Sequence, residues 1–477
     1  MNQKLEFKGG WGMSFVPVFV FFMFCILLFI VFLSYDMHAL AMGGIVGLLV
    51  GALFAKNYSR YWESVIKGIA SKNSITIVLI LLIVGMFAQM IKESGASEGF
   101  IWIAHEVGMT GGIYVAFTFF ACSIIATATG SSIGTMFAAF PIFYTAGVAL
   151  GADPAMLAGA ITSGCIFGDN LAPVSDTTIA SASTQRFKDR KTPADIAGVV
   201  LSRARYSFVA GVIALVLFAI LGGGGEIAGG IEMMGDPSKL VMLIPVAILL
   251  IVAVKTRNIF KALTVGLITG MLTGLIFGIF TPASIFSSSG ELGNHVTGFL
   301  PTGLESMLGT VALVISVFGM VGVLQEAGSL ERIIEKIVNS KLGRSTKGTE
   351  MVIALGSCIT CSFFGGVTSA AILSYGPVID EVGRSRNIHP YRRSNLLDGF
   401  VNSIPVVIPF SSVFVFITVA LSGLNPVEVA IGMLYPSVLF VVLMFAVLSG
   451  WGLRYEGENG EQLRTEAVVV TEKRKAL

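Results

Sequence analysis

Charge is scarce in this sequence. Only 13% of its 477 residues are Asp, Glu, Lys or Arg, about half the share in a soluble domain. Histidine is rarer still: His38, His105, His295 and His389 are the only four, and none pairs with a nucleophilic Ser or Cys or stands at a metal-ligand spacing. That removes the grounds for reading an intramembrane enzyme. The five cysteines (Cys25, Cys122, Cys165, Cys358, Cys361) all lie in apolar runs, and the one CxxC has no second Cys or His pair near it. They read as small buried hydrophobes rather than a zinc or redox centre. A net charge of +2 gives no reason to invoke a nucleic-acid partner, and no motif calls for a cofactor.

Apolar length is abundant instead. The sequence is 54% hydrophobic with a mean hydropathy of +0.84. Several uncharged runs approach the ~20 residues that cross a bilayer. The first, residues 14–33, is too long for a cleaved signal peptide and is followed by no small-residue cleavage site. An all-α polytopic membrane protein follows, with lipid as its surroundings. Hydrophobic segments fall near 14–33, 37–55, 74–91, 111–128, 131–150, 155–185, 206–222, 239–254, 259–280, 307–325, 349–363, 366–383, 394–422 and 430–451. Lys and Arg gather in every second connection: 56–72, 186–205 (Arg203 included), 255–261, 332–347 and 384–393 (with Arg392 and Arg393). By the positive-inside rule these connections and both termini are cytoplasmic. No Arg is expected at mid-membrane.

A weak repeat runs through this layout. TGSSIGTMFAAFPI from Thr129 resembles GGVTSAAILSYGPV from Gly365. Pro141 aligns with Pro377 and Pro173 with Pro409, both 236 residues apart, which sets Ser175 on Ser411. The charge rule gives the two halves opposite directions. The expected organisation is a first half over 1–222, an extracytoplasmic linker over 223–238, an inverted second half over 239–451 and a cytoplasmic tail over 452–477. Two inverted-topology repeats with interrupted helices are a secondary-transporter architecture.

The interruptions carry the chemistry. Segment 155–185 is too long for one straight crossing, and GDNLAPVSDTT inside it holds polar groups that are costly in lipid. A half-helix ending near Phe167 would present free carbonyls beside Asp169, a hard oxygen site for a small cation such as Na⁺. Asp169 is the leading ion or proton carboxylate. Asp176 is a second Na⁺ ligand or only a helix cap, and Ser175 or Asp176 would begin the next half-helix. Asn170 and Thr177 complete the ion-binding cluster or merely satisfy local hydrogen bonds. In the second half the break VNSIPVVIPFSS puts Pro405 where Asp169 stands, leaving Asn402, Ser403, Ser411 and Ser412 as site-lining candidates. Asp398 is either a second ion or proton carboxylate or a counter-charge to Arg392 and Arg393. The turns TATGSSIG (127–134) and FFGGVTSA (363–370) offer Thr129, Ser131, Ser132, Thr368 and Ser369. They end either re-entrant hairpins or full crossings.

FGDNLAPVSDTTIAS resembles the signature of the NhaC-type Na⁺/H⁺ antiporter family, most closely at Gly168, Asp169, Pro173, Ser175, Asp176, Thr177 and Thr178. The resemblance implies exchange of Na⁺ for H⁺ across a bacterial inner membrane, with relatives that move malate and lactate or amino acids. It also implies a scaffold domain and a moving transport domain, often as a homodimer. The sequence departs from the pattern at Asn170, where a basic residue is the expectation. Two readings stand: a Na⁺/H⁺ antiporter, or a cation-coupled carrier of a small organic solute.

Overall fold

The structure is a computed structural model that describes residues 4–32, 36–96, 98, 99, 102, 106, 111–188, 192–224, 236–289 and 295–465. Most of the expected linker and the end of the expected tail (466–477) lie outside the described residues, as does His105.

Helices dominate because apolar residues are nearly continuous and lipid leaves the backbone no other partner than itself. The N-terminal part contains α1 (Val16–Ile26), α2 (Met37–Leu53), α3 (Tyr58–Ile69) and α4 (Lys72–Glu93). Next come α5 (Gly111–Thr129), α6 (Ser132–Ala149), α7 (Pro154–Leu171), α8 (Asp176–Thr184) and α9 (Ile196–Leu221). After the linker follow α10 (Leu243–Thr256), α11 (Ile259–Ile276), α12 (Phe299–Ser306), α13 (Leu308–Glu326) and α14 (Ser329–Val338). The chain ends with α15 (Thr346–Phe363), α16 (Thr368–Arg384), α17 (Pro390–Val401), α18 (Ile404–Val407), α19 (Val413–Ser422), α20 (Pro426–Gly432) and α21 (Leu434–Ser449). Among the described residues seven helices are long and apolar enough to cross a membrane, or eight if the sharply bent pair α19–α20 is one span. Among the described residues strand is confined to two two-stranded pairs, 287–289 with 295–297 and 455–456 with 462–463.

The two parts pack reciprocally through glycines. A Cβ on Gly68 (α3) would sit 2.2 Å from the carbonyl of Phe318 and 2.8 Å from Gly322 (α13). A Cβ on Gly85 (α4) would sit 2.2 Å from the carbonyl of Gly303 (α12). Each long helix therefore receives the short helix of the other part at backbone contact, the small-residue packing that replaces hydrophobic drive inside lipid. Helix starts recur as well. The N-cap positions Ser131 and Val367, and Asp153 and His389, are each separated by the 236 residues that relate Pro141 to Pro377.

Several sequence expectations change. Residues 56–72 and 332–347 are not plain loops: amphipathic helix α3 lies within the first, and amphipathic helix α14, which begins at Ser329, runs into the second, both concealed by the charge count. The capped half-helices set Ser175 opposite Ser412 rather than Ser411, since these two serines cap α8 and α19. The second half also carries an interruption the first lacks. Residues 390–407 match the length of α7 but are split at Asn402–Ser403 into α17 and α18. Pro405 has no N–H for the carbonyl of Val401, four residues back. The Cys361 thiol donates to that carbonyl instead, at 3.3 Å, and Cys358 approaches the carbonyl of Phe400 at 3.7 Å.

Candidate functional site

The break after α7 builds the site. α7 runs to Leu171, past the expected stop at Phe167, so Asp169 and Asn170 belong to its last turn. Gly168 has no room for a side chain, because a Cβ there would lie 2.1 Å from the carbonyl of Ser123 on α5. That contact brings the end of α5 against the end of α7. Thr127 donates to the carbonyl of Gly168 at 3.1 Å. Gly130 then takes a left-handed conformation (φ +68°) to turn the chain, and Ser131 caps α6 by accepting from the Gly134 N–H. The α5–α6 turn consequently stands beside Asp169. α8 has nine residues, about 13 Å of helix, between the break and its end at Thr184.

The free carbonyls expected at the end of α7 are taken. Ala172 N–H donates to the carbonyl of Asp169 at 3.1 Å, and Arg203 Nη1 donates to that of Asn170 at 3.0 Å. The position of Arg203 is the largest correction to the sequence reading. It lies in α9 and not in a loop, only 2% exposed, and its Nη1 is 2.6 Å from Asp398 Oδ2. It also donates to Thr178 Oγ1 (2.9 Å), Ser181 Oγ (3.3 Å) and Asn395 Oδ1 (3.3 Å). Asn402 Nδ2 donates to Asp398 Oδ1 at 2.7 Å. Asp398 is therefore paired with Arg203 and does not counter Arg392 or Arg393. Those two are also buried: Arg392 forks onto Glu350 at 2.6 and 3.1 Å, and Arg393 reaches Asp380 at 2.8 Å. A positive charge at a helix C-terminus complements its dipole, so Arg203 closes α7 while binding α8, α9 and α17 into one unit. Thr162 and Thr418 share a hydrogen bond of 2.7 Å between α7 and α19, and Ser394 donates to Ser181 at 3.0 Å between α17 and α8. The two interrupted helices lie side by side.

Asp169 is treated differently. It is 5% exposed, and its Oδ1 has no hydrogen-bond partner in the protein, although the hydroxyls of Ser132 and Ser175 flank the carboxyl. A buried acceptor without a donor is costly. It faces a cavity of about 220 Å³. Ser131, Ser132, Asp176, Thr177, Thr368 and Ser369 line that cavity too, so both turns and the first break meet there. Asp176 is exposed and is the first residue of α8, with Ser175 as its cap.

The remaining candidates are not in this cavity. Thr129 shares a 2.9 Å hydrogen bond with Thr135, Asn402 serves Asp398, and Ser403 donates to the Phe400 carbonyl. Ser412 caps α19, and Ser411 lines a separate apolar pocket with Phe15, Phe21, Phe363 and Phe410. Asn170 donates to the Tyr435 hydroxyl at 3.2 Å while its Oδ1 is unpartnered. Sequence reasoning overlooked the far wall: Asn73, Thr76, Ile77 and Ile80 of α4 and Ile259 of α11. The two polar residues at the start of an otherwise apolar α4 were the available signal.

On the basic side of the bundle, a C-terminal strap closes over the loops. His389 caps α17 by accepting from the Tyr391 N–H, and its other ring nitrogen meets the carbonyl of Gly460 at 3.1 Å. Burial holds this imidazole down at about 4. The Tyr391 hydroxyl, donating to Asp195, keeps that carboxyl below its ordinary range.

A profile of the Na⁺/H⁺ antiporter family matches residues 8–191 and 206–451. The malate-2H⁺/Na⁺-lactate antiporter of Bacillus subtilis (strain 168) is 27% identical over 365 residues, covering 72% of this chain and 75% of its own. The Na⁺/H⁺ antiporter NhaC of the same strain is 24% identical over 410 residues, covering 81% and 86%. The arginine/ornithine antiporter of Halobacterium salinarum is 27% identical over 359 residues, covering 69% and 71%.

Proposed function

The chain belongs to the Na⁺/H⁺ antiporter family, and from that premise we propose that Asp169 is the group for which Na⁺ and H⁺ compete. The protein is a secondary active transporter that exchanges Na⁺ for H⁺, and not an enzyme. One observation carries the assignment to Asp169: its buried Oδ1 has no partner within the protein, and the residue lines a cavity. A carboxylate that holds either a proton or Na⁺, never both, couples the two fluxes by exclusion. Asp176, Thr177, Ser131 and Ser132 supply further oxygens on the same wall. Asp398 stays out of the exchange because Arg203 neutralises it.

The orientation forms part of the proposal. Asn73 and Thr76 sit in the first turns of α4, and Ile259 begins α11, next to the basic connections 56–72 and 255–261. With those connections and both termini in the cytoplasm of a bacterial cell, the cavity opens inward. The reciprocal glycine packing and the recurring caps support two inverted halves. A homodimer, as the sequence resemblance implies, is kept as an expectation for cross-linking to test.

The test is reconstitution in liposomes with a lumenal pH probe and a Na⁺ jump, with no other solute present. Proton movement in the wild type and none in Asp169→Asn is the expected pair. Normal movement in Asp169→Asn would move the ion site elsewhere. A single cysteine at 340 should react with an impermeant maleimide only from the cytoplasmic side, and one at 279 only from outside. The relatives include antiporters named for malate and lactate and for arginine and ornithine. The cavity, at about 220 Å³, is wider than a bare Na⁺ requires, so an organic solute remains the second reading.

A further inference from the structure

We infer that the same cavity takes an organic solute bearing both an ammonium and a carboxylate, an amino acid rather than a dicarboxylate. The inference rests on Asp169 being the ion-binding carboxylate, and it concerns what else the cavity is shaped for.

The first observation is an uneven treatment of helix ends. Six of the described helices begin at or beside the cavity. Ser71, Ser131, Ser175, Asn258 and Ser412 cap α4, α6, α8, α11 and α19 by accepting a backbone N–H. The sixth, α16, starts after Val367 with no side-chain cap. Val367, Thr368 and Ser369 all line the cavity. The first N–H groups of a helix need acceptors, and the end of the helix carries positive partial charge. One helix of 17 residues thus presents an unfilled anion-binding end to the cavity.

The second observation is independent and has the opposite sign. Asp169 Oδ1 is a buried acceptor with no donor, and the exposed Asp176 shares its wall. Ionised carboxylates accept and never donate. They ask for a cation, and an ammonium brings three donors where Na⁺ brings none.

Charge narrows the class. A dicarboxylate would place its second charge against Asp169 and Asp176. Among the described residues no guanidinium lines the cavity, and Arg203 is engaged with Asp398 and the end of α7. A zwitterion meets both signs at once.

The test uses the purified full-length protein in lipid nanodiscs and in liposomes. A panel of the common amino acids and ornithine is screened by calorimetry and by counterflow of radiolabel. For each hit, the matching amine without the carboxylate and the matching acid without the ammonium are titrated alongside, with malate as the dianion. We expect at least one amino acid to bind and exchange, with both truncated analogues and malate weaker by about tenfold or more. Ser369→Asp places a carboxylate in the first turn of α16, where helices favour one, so folding is kept while the anion-binding end is filled. It should weaken amino-acid binding by about tenfold, whereas Ser369→Ala, which leaves the N–H groups in place, should change it far less. Tighter binding of malate, or unchanged binding in Ser369→Asp, would overturn the inference. So would silence from the whole panel while Na⁺ still drives proton movement, and that result would leave the exchange assignment standing. Amino-acid counterflow in a protein that shows no Na⁺-driven proton movement would support the site and count against the exchange assignment.

Discussion

Replacing Arg203 with Met removes a charge that the fold uses at five places. Asp398, with no exposed surface, loses its partner at 2.6 Å, and the carbonyl ending α7 loses its donor at 3.0 Å. Thr178, Ser181 and Asn395 each lose a hydrogen bond. Removing one member of a buried ion pair typically costs about 3–5 kcal/mol, because the other charge is left uncompensated. For Arg203→Met the expected result is a loss of that order, a fall in apparent Tm on the order of 10 °C. Asp398→Asn alone leaves the guanidinium unpaired but able to bond four neutral acceptors, so its cost should be smaller. In the double variant neither charge is stranded, and at least about 2 kcal/mol of the single-variant loss should return. Thermal unfolding in detergent of the wild type, both single variants and the double variant closes the cycle. Loss under about 1 kcal/mol in Arg203→Met, or additive losses in the double variant, would refute the account of Arg203 as the bolt between the two interrupted helices. Na⁺-driven proton movement should fall in Arg203→Met and return only in part in the double variant, because the end of α7 still lacks its donor.

Asp169→Asn should abolish Na⁺-driven proton movement with little change in Tm, and Asp176→Asn should reduce it less, since Asp176 is exposed and Ser175 performs the capping; both are read with a lumenal pH probe. Gly168→Ala forces a Cβ to within 2.1 Å of a backbone oxygen, so α7 must leave α5. A loss of about 1–3 kcal/mol and a larger loss of transport are expected in unfolding and flux assays, whereas Gly12→Ala, with open space around it, should be silent in both. Glu350→Gln removes the carboxylate from Arg392 but leaves it the Tyr206 hydroxyl and the carbonyls of Ala446 and Trp451, so the loss in thermal unfolding should be smaller than for Arg203→Met, as for Asp398→Asn. His389 has a folded-state value near 4, below its ordinary 6.5, so its contribution is present above about pH 6.5 and is lost as pH falls toward 4. Protonation makes both ring nitrogens donors and ends the cap on the Tyr391 N–H; protease sensitivity of the 452–465 strap should rise over that window in the wild type and much less in His389→Asn.

The interruption at 168–175 was legible because lipid makes polar groups, Gly and Pro costly unless they serve a cavity, and GDNLAPVSDTT concentrates all three. Both turns were legible for the same reason, and Ser131, Ser132, Thr368 and Ser369 do meet Asp169 around one cavity. What the sequence concealed was the fate of the arginines. A charge count treats every Lys or Arg as a mark of water and so places Arg203, Arg392 and Arg393 in loops. All three are buried, each opposite an acid that lies in an apolar or short polar stretch: Asp398, Glu350 and Asp380. An acid at depth needs a partner, and that demand was the readable signal. The amphipathic helices α3 and α14 were lost to the same count. The split at Asn402–Ser403 was half visible, since Pro405 announces a freed carbonyl at Val401 but not the thiol that satisfies it.

The two interrupted helices differ in charge, and under the proposed exchange at Asp169 that difference separates an ion site from a structural ion pair. In the first half the carboxylate stands in the last turn of α7, next to the break, with an oxygen left unpartnered. In the second half Pro405 occupies the equivalent position, and the nearest carboxylate, Asp398, is set back within α17. Arg203 from the first half reaches across to neutralise it. A symmetric arrangement with two free carboxylates would repel itself once both were desolvated. Pairing one with Arg203 removes that repulsion and fixes the breaks against each other. Under the proposed exchange, Asp169 is the carboxylate left for a proton or Na⁺ to meet.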